Sequence, residues 1–185
     1  MPPIIANATS PSIASLAIDF DRLRLFDALV ADMADLLETT AGAEDACAYV
    51  SSIAARLGSN IEKQYKTALG VQNFNREQLV AALIDLNKRA GGEFFVIEED
   101  EDHIVLGNSK CPLGHAVINH PSLCMLTSNI FGVMAANAVG YAAVDLEQTI
   151  ARGAAACRVV LHLKRTELHP DTREYFRDDA SAASN

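Results

Sequence analysis

The spacing of hydrophobic residues changes once along this chain, at Gly91–Gly92. Before these glycines, apolar side chains recur every three or four positions, the period of a helix with one buried face. After them come short runs rich in β-branched and aromatic residues, the signature of strands. That order predicts an α+β fold.

The elements can be placed from the pattern. Asp19 to Thr39 carries Phe20, Leu23, Val30 and Leu37 on one stripe, and Gly42 reads as its cap. A second helix is expected from about Ala43 to Leu69, with Cys47, Val50, Ala54, Leu57 and Ile61 together and Gly70 closing it. Asn75 reads as the N-cap of a third helix that stops at Gly91–Gly92. EFFVIEED and DHIVLGN form a hairpin around an acidic turn. SLCMLTSNIFGVMAANAVGYA is apolar nearly all round and is expected to be a central, buried helix. AAVDLEQTI and ACRVVLHLK make a second hairpin, with Cys157, Val159, Leu161 and Leu163 on one face of the last strand. The expected architecture is N-terminal helices followed by a four-stranded antiparallel sheet, two hairpins covered by helices. Residues 1–18 read as a flexible arm and 19–70 as a helical segment. The α+β domain proper is 71–165, and 166–185 is a polar tail. The helical segment is more apolar than one sheet face requires, so it is expected to supply a homodimer contact.

Half of the 185 residues are hydrophobic, enough for a sizeable core, and the formal charge is −9. The basic clusters Lys88–Arg89 and Lys164–Arg165 are short, so no direct nucleic-acid partner is expected. No uninterrupted apolar run approaches the roughly 18 residues of a membrane span. The start, MPPIIANATSPSIASLAIDFDR, lacks the basic and apolar regions of a secretory signal. A cytoplasmic location without membrane association is therefore expected, where the four cysteines stay reduced.

Chemistry concentrates in CPLGHAVINHPSLCMLT, Cys111 to Thr127. Cys111 follows directly on a strand, and Cys124 stands in the first turn of the central helix, where orphan N–H groups and the helix dipole favour thiolate. Cys157 opens the last strand on its inward side. These three can converge at one end of the sheet, as soft cations and iron–sulfur clusters require. His115, four residues after Cys111, would add a nitrogen ligand. Packing alone also accounts for a cysteine such as Cys157 on an apolar strand face, and it accounts for Cys47 in its helical stripe. Nucleophilic catalysis by Cys111 or Cys124 with His115 or His120 is a third reading, but nothing marks an oxyanion hole or an orienting residue. Whether the chain is an enzyme stays open, with the balance against it. His120 reads as a helix cap, His162 and His169 as solvated, and His103 as a partner for a carboxylate. The run EEDED lacks the spaced oxygen ligands of a calcium loop and reads as a solvated turn.

CPLG followed by HPSLCMLTSNIFGVMAANAVGYAAVDLEQTIARGAAACRVVLHL resembles the methanogen output domain, one of the wider group of 4-vinyl reductase-like sensory domains. The resemblance covers roughly Phe20 to Leu163 and is most specific from Cys111 onward. Many relatives carry Gly-Asp before the last cysteine segment, whereas here Gly153 is followed by Ala154. The order of cysteines is also similar to the C-terminal half of iron–sulfur-binding repressors. Carried over, Cys111, Cys124 and Cys157 match cysteines, while His115 stands where a second cysteine belongs. A histidine there would raise a cluster's potential or suit zinc. These resemblances imply a sensory or regulatory module without a DNA-binding part of its own, signalling to a partner protein. Its cofactor would be an iron–sulfur cluster or zinc at Cys111, Cys124, Cys157 and His115, answering to redox state or ligand. The competing reading is a metal-free module that encloses a small hydrophobic ligand between the central helix and the sheet.

Overall fold

In the computed structural model, which describes residues 12–177, the Asp21 side chain starts the first helix by accepting the Arg24 N–H at 2.9 Å. This helix, α1, spans Arg22–Ala41 and stops at Gly42, whose φ of +87° suits glycine. α2 spans Ala43–Leu69, and Gly70 closes it in the left-handed region. α3, Arg76–Arg89, begins with a reciprocal cap. The Asn75 carboxamide accepts the Gln78 N–H at 2.8 Å, and the Gln78 side chain accepts the Asn75 N–H at 3.0 Å, so two orphan donors are satisfied at once.

Beyond Gly91–Gly92 the chain forms β1 (Phe94–Glu99), β2 (His103–Asn108), α4 (Cys124–Val139), β3 (Tyr141–Gln148), β4 (Cys157–His162) and β5 (Arg173–Phe176). The sheet order is β1-β2-β4-β3-β5 with every neighbour antiparallel. Both expected hairpins are present, joined edge to edge by β2 and β4. The acidic turn between β1 and β2 is organised by Asp100, whose carboxylate accepts the Asp102 and His103 N–H groups.

The sheet has five strands, not four. β5 lies in the stretch read as polar tail and pairs with β3 from Tyr141↔Phe176 to Val144↔Arg173. Its four residues, REYF, carry too short an alternation to register as a strand. What fixes it is tertiary: Tyr175 packs against α4, and its hydroxyl shares a hydrogen bond with Ser128 Oγ at 2.9 Å. The segment DDASAASN and most of the N-terminal arm lie outside the described residues. Within the arm, Ile13–Ser15 makes a 3-10 turn.

The main core lies between one face of the sheet and α3 and α4. Phe94, Ile104, Leu106, Val159 and Leu161 meet Leu79, Leu83, Phe131 and Met134 there. Phe131, at the centre, meets Phe94 edge to face with ring centroids 5.3 Å apart. α4 is covered in turn by α2, which presents Ala46, Val50, Ala54 and Gly58 at four-residue steps. A Cβ on Gly58 would come 3.1 Å from the Ile130 Cα, so the two helices cross almost backbone to backbone. The window Pro121–Val139 is long and apolar enough to cross a membrane by length and composition. Ser122, Thr127, Ser128, Asn129 and Asn137 interrupt it, so it is not the uninterrupted apolar run that the sequence reading found absent, and 56% of the window is buried inside the fold as the core helix.

Candidate functional site

Three pieces of chain bring the cysteines together. β2 and β4 pair with Asn108 opposite Cys157, so the loop leaving β2, with Cys111 three residues on, starts beside Cys157. The 3-10 turn Pro121–Leu123 then feeds directly into α4, whose first residue is Cys124. All three cysteines line one small cavity, together with Asn108, Thr127 and Thr149 among largely apolar walls. The convergence expected from the sequence is therefore present for Cys111, Cys124 and Cys157. All are free thiols.

The Ile150 N–H donates to Cys157 Sγ at 3.4 Å. Burial pushes the Cys111 thiol above its ordinary range, against the bond it accepts from the Leu113 N–H. Burial, reinforced by the nearby Cys157 and Cys111, pushes Cys124 up to about 12. The expectation that the helix start makes Cys124 a thiolate is thus overturned. A dipole contributes at most about 2 kcal/mol in a partly buried site, while desolvation moves a buried group by up to several pKa units at 1.36 kcal/mol each. The Thr149 hydroxyl, 4% exposed, lacks a hydrogen-bond partner among the described residues, although it lies close enough to the Cys124 thiol to favour its ionisation.

The histidines take other positions. His115 is exposed on the 3-10 turn Gly114–Val117 and does not line the cavity. His120 stands at the N-cap of the 3-10 turn Pro121–Leu123, as read from the sequence, but its ring makes no cap bond. Its Nδ1 lies 3.1 Å from Glu38 Oε2 of α1, and the other oxygen of Glu38 accepts the Ser122 N–H at 3.1 Å. Glu38 therefore ties α1 to the loop that carries the thiols. Nothing in the sequence singles it out, because its partners lie more than 80 positions away. His162, expected in solvent, is half-buried, and desolvation lowers its pKa. His103 does pair with carboxylates, Asp100 at 2.9 Å and Glu98 at 3.5 Å.

Glu98, Asp100 and His103 have ligand-type atoms that all lie within 4.8 Å of one another; among the described residues the three thiols do not form such a set. The acidic set is an ion-pair network of the turn. Asp100 already accepts two backbone N–H groups, and the Arg76 guanidinium reaches in to Glu99 and to the carbonyls of Asp100 and His103. A cation there would meet an arginine.

The Glu38 tie yields a measurable consequence. Desolvation works to raise the Glu38 pKa, but the bonds from Ser122 and His120 outweigh it and hold the carboxyl below its ordinary value. A depressed acid stabilises the fold above its unfolded pKa, and that contribution is lost as pH falls through the folded value. Glu38→Gln is expected to cost about 1–2 kcal/mol near neutral pH, read from urea midpoints. The gap between parent and variant should close as the medium becomes acidic, and a gap that is unchanged at low pH would count against the carboxylate's role.

The family model of methanogen output domain 1 matches residues 29–162. The match runs from the middle of α1 to the end of β4, so it includes all three cavity cysteines and stops short of β5. No curated protein matches the chain, so the cysteine order shared with iron–sulfur repressors stands without a matching relative.

Proposed function

The chain belongs to the methanogen output domain 1 family, and from that premise we propose that it is a sensory output module whose input is a soft metal held by Cys111, Cys124 and Cys157. One observation carries this reading: three thiols from a loop, a helix start and a strand start, all half-buried, line a single small cavity.

The size of the cavity discriminates among occupants. It encloses about 20 Å³, room for one or two waters. A small-molecule site ordinarily needs about 300–1,000 Å³, so the apolar-ligand reading finds no space here. A single zinc or iron ion fits such a volume. Thiolates about 2.3 Å from one ion must stand roughly 3.8 Å apart, and the three thiols are not all within 4.8 Å of one another, so binding an ion requires them to draw together. An iron–sulfur cluster requires the loop from Cys111 to Pro121 to swing outward as well. Bound there, a soft cation supplies the positive charge that thiolates need in a buried site. Catalysis by a thiol has less support, since no histidine lines the cavity among the described residues and burial keeps Cys111 and Cys124 protonated.

The signal would leave through Glu38. Gathering or releasing the thiols displaces the loop Cys111–Pro121, whose end is bonded to Glu38 of α1. α1 then presents the change to a signalling partner. The test is to purify the protein without oxygen and measure zinc, iron and the visible spectrum. About one ion per chain is expected. A folded, colourless, metal-free protein that takes up neither zinc nor iron on titration would sink the proposal.

A further inference from the structure

Thr149 gives up the usual work of its position. It is the N-cap of the 3-10 turn Ile150–Arg152, where a threonine hydroxyl ordinarily accepts a backbone N–H, yet it makes no cap bond. Its carbonyl holds the turn instead, accepting the N–H groups of Arg152 and Ala154 at 3.1 Å each. The side chain, 4% exposed, lines the thiol cavity beside Cys124. As the groups stand, the hydroxyl and that thiol fall short of a hydrogen bond.

The other two sulfurs each have a donor already. The Ile150 N–H, one residue on, reaches Cys157 Sγ at 3.4 Å. In Cys111-Pro112-Leu113-Gly114 the proline has no N–H to offer, and the next amide, that of Leu113, donates to Cys111 Sγ. Three thiolates around one divalent ion leave a negative charge uncompensated, and such a charge is costly in a small, largely apolar cavity unless hydrogen bonds meet it. Among the described residues no lysine, arginine or histidine lines the cavity. The cation that Cys124 feels, Arg152, is exposed and acts on it less than Thr149 does. Donors aimed at sulfur are therefore the compensation that these walls can offer. Resting on the soft-metal reading, we propose that Thr149 positions Cys124, its hydroxyl donating to Cys124 Sγ when a cation holds the sulfurs as thiolates. Each sulfur then has one donor. A neutral hydroxyl is a poor ligand for a soft cation, so Thr149 acts through the cysteine and not on the ion.

Two substitutions test this. Thr149→Val removes the hydroxyl and keeps the shape, and valine readily adopts the extended backbone found here, φ −138° and ψ 141°. Thr149→Ser keeps the hydroxyl. Competition against a chromophoric chelator should show zinc bound about tenfold to a hundredfold more weakly by Thr149→Val, with most of that loss recovered in Thr149→Ser. Cobalt in place of zinc reports on the sulfur itself. A thiolate that lacks a hydrogen bond gives up electrons more easily, so the sulfur-to-cobalt charge-transfer band should move to longer wavelength in Thr149→Val and not in Thr149→Ser. Metal-free Thr149→Val should resist urea as well as the parent, because a buried hydroxyl short of a partner adds nothing to the fold. A lower urea midpoint would assign the hydroxyl to the fold and overturn the proposal. So would Thr149→Val with the parent's affinity and spectrum, or Thr149→Ser as weak as Thr149→Val. In each of these cases a parent that binds zinc retains the metal centre. A parent that binds neither ion removes the centre, and this role of Thr149 with it.

Discussion

Cys124→Ser is expected to weaken zinc binding by at least about a thousandfold while leaving the chain folded. Structural zinc sites bind with roughly 10–16 kcal/mol shared among their ligands, so losing one thiolate removes on the order of 4 kcal/mol, or three decades of affinity. Serine nearly preserves the shape of cysteine, but its hydroxyl does not ionise in a buried site and makes a poor ligand for a soft cation. The same outcome is expected for Cys111→Ser and Cys157→Ser, because the three thiols line one cavity. Two controls separate this site from other arrangements. Cys47 lies on α2 outside the cavity lining, so Cys47→Ser should bind zinc as the parent does. His115 is exposed and off the cavity wall, so His115→Ala should also leave affinity unchanged; a large loss there would restore the histidine ligand set and require the Gly114–Val117 turn to rotate inward. Competition against a chromophoric chelator gives the affinities, and urea midpoints establish folding. Zinc binding by Cys124→Ser as tight as in the parent would remove the centre altogether.

Most of the helical and strand framework was legible because it depends on local chemistry. Gly42, Gly70 and Gly91–Gly92 end elements that a hydrophobic stripe defines, and Asn75 with Gln78 announces a cap within four residues. The meeting of the cysteines was legible at one remove: two hairpins in one sheet place the end of β2 against the start of β4, and the register Asn108↔Cys157 makes that placement specific. What the sequence withheld depends on burial and on distant pairing. The protonation of Cys124 reverses its local expectation because desolvation exceeds the influence of a helix end. Glu38 reads as an ordinary acid near the end of a helix until His120 and Ser122 arrive beside it. His115 stands four residues from Cys111, yet the tight 3-10 turn carries its side chain to the surface.

β5 is the hardest element to foresee, and Gly132 is where its docking can be measured. Glycine inside a helix costs about 1 kcal/mol relative to alanine, so on propensity alone Gly132→Ala would stabilise α4. The opposite is expected. A Cβ at this position would lie 2.1 Å from Tyr175 Cδ2 and 2.5 Å from Cγ. Cγ sits next to the backbone, so the ring cannot simply swing its far end away; the Tyr175 main chain must retreat as well. Retreat breaks the bond between the Tyr175 hydroxyl and Ser128, and it strains the pairing of β5 with β3. Overpacking of a tight core contact costs about 1–3 kcal/mol, and the close approach to an edge strand places this case at the upper end. A net loss of about 2 kcal/mol, the steric cost less the propensity gain, is expected from urea denaturation, with β3 amides next to β5 exchanging faster. The contact itself is isolated by a double-mutant cycle. Tyr175→Ala removes the ring that the new methyl would strike, so the pair of substitutions should destabilise by at least about 2 kcal/mol less than the sum of the two alone. If Gly132→Ala proves as stable as the parent, Tyr175 does not lie against α4, and the fifth strand loses the contact that holds it. Because the family match ends at residue 162, this strand is tested by its own packing, independently of the relationship that identifies the rest of the fold.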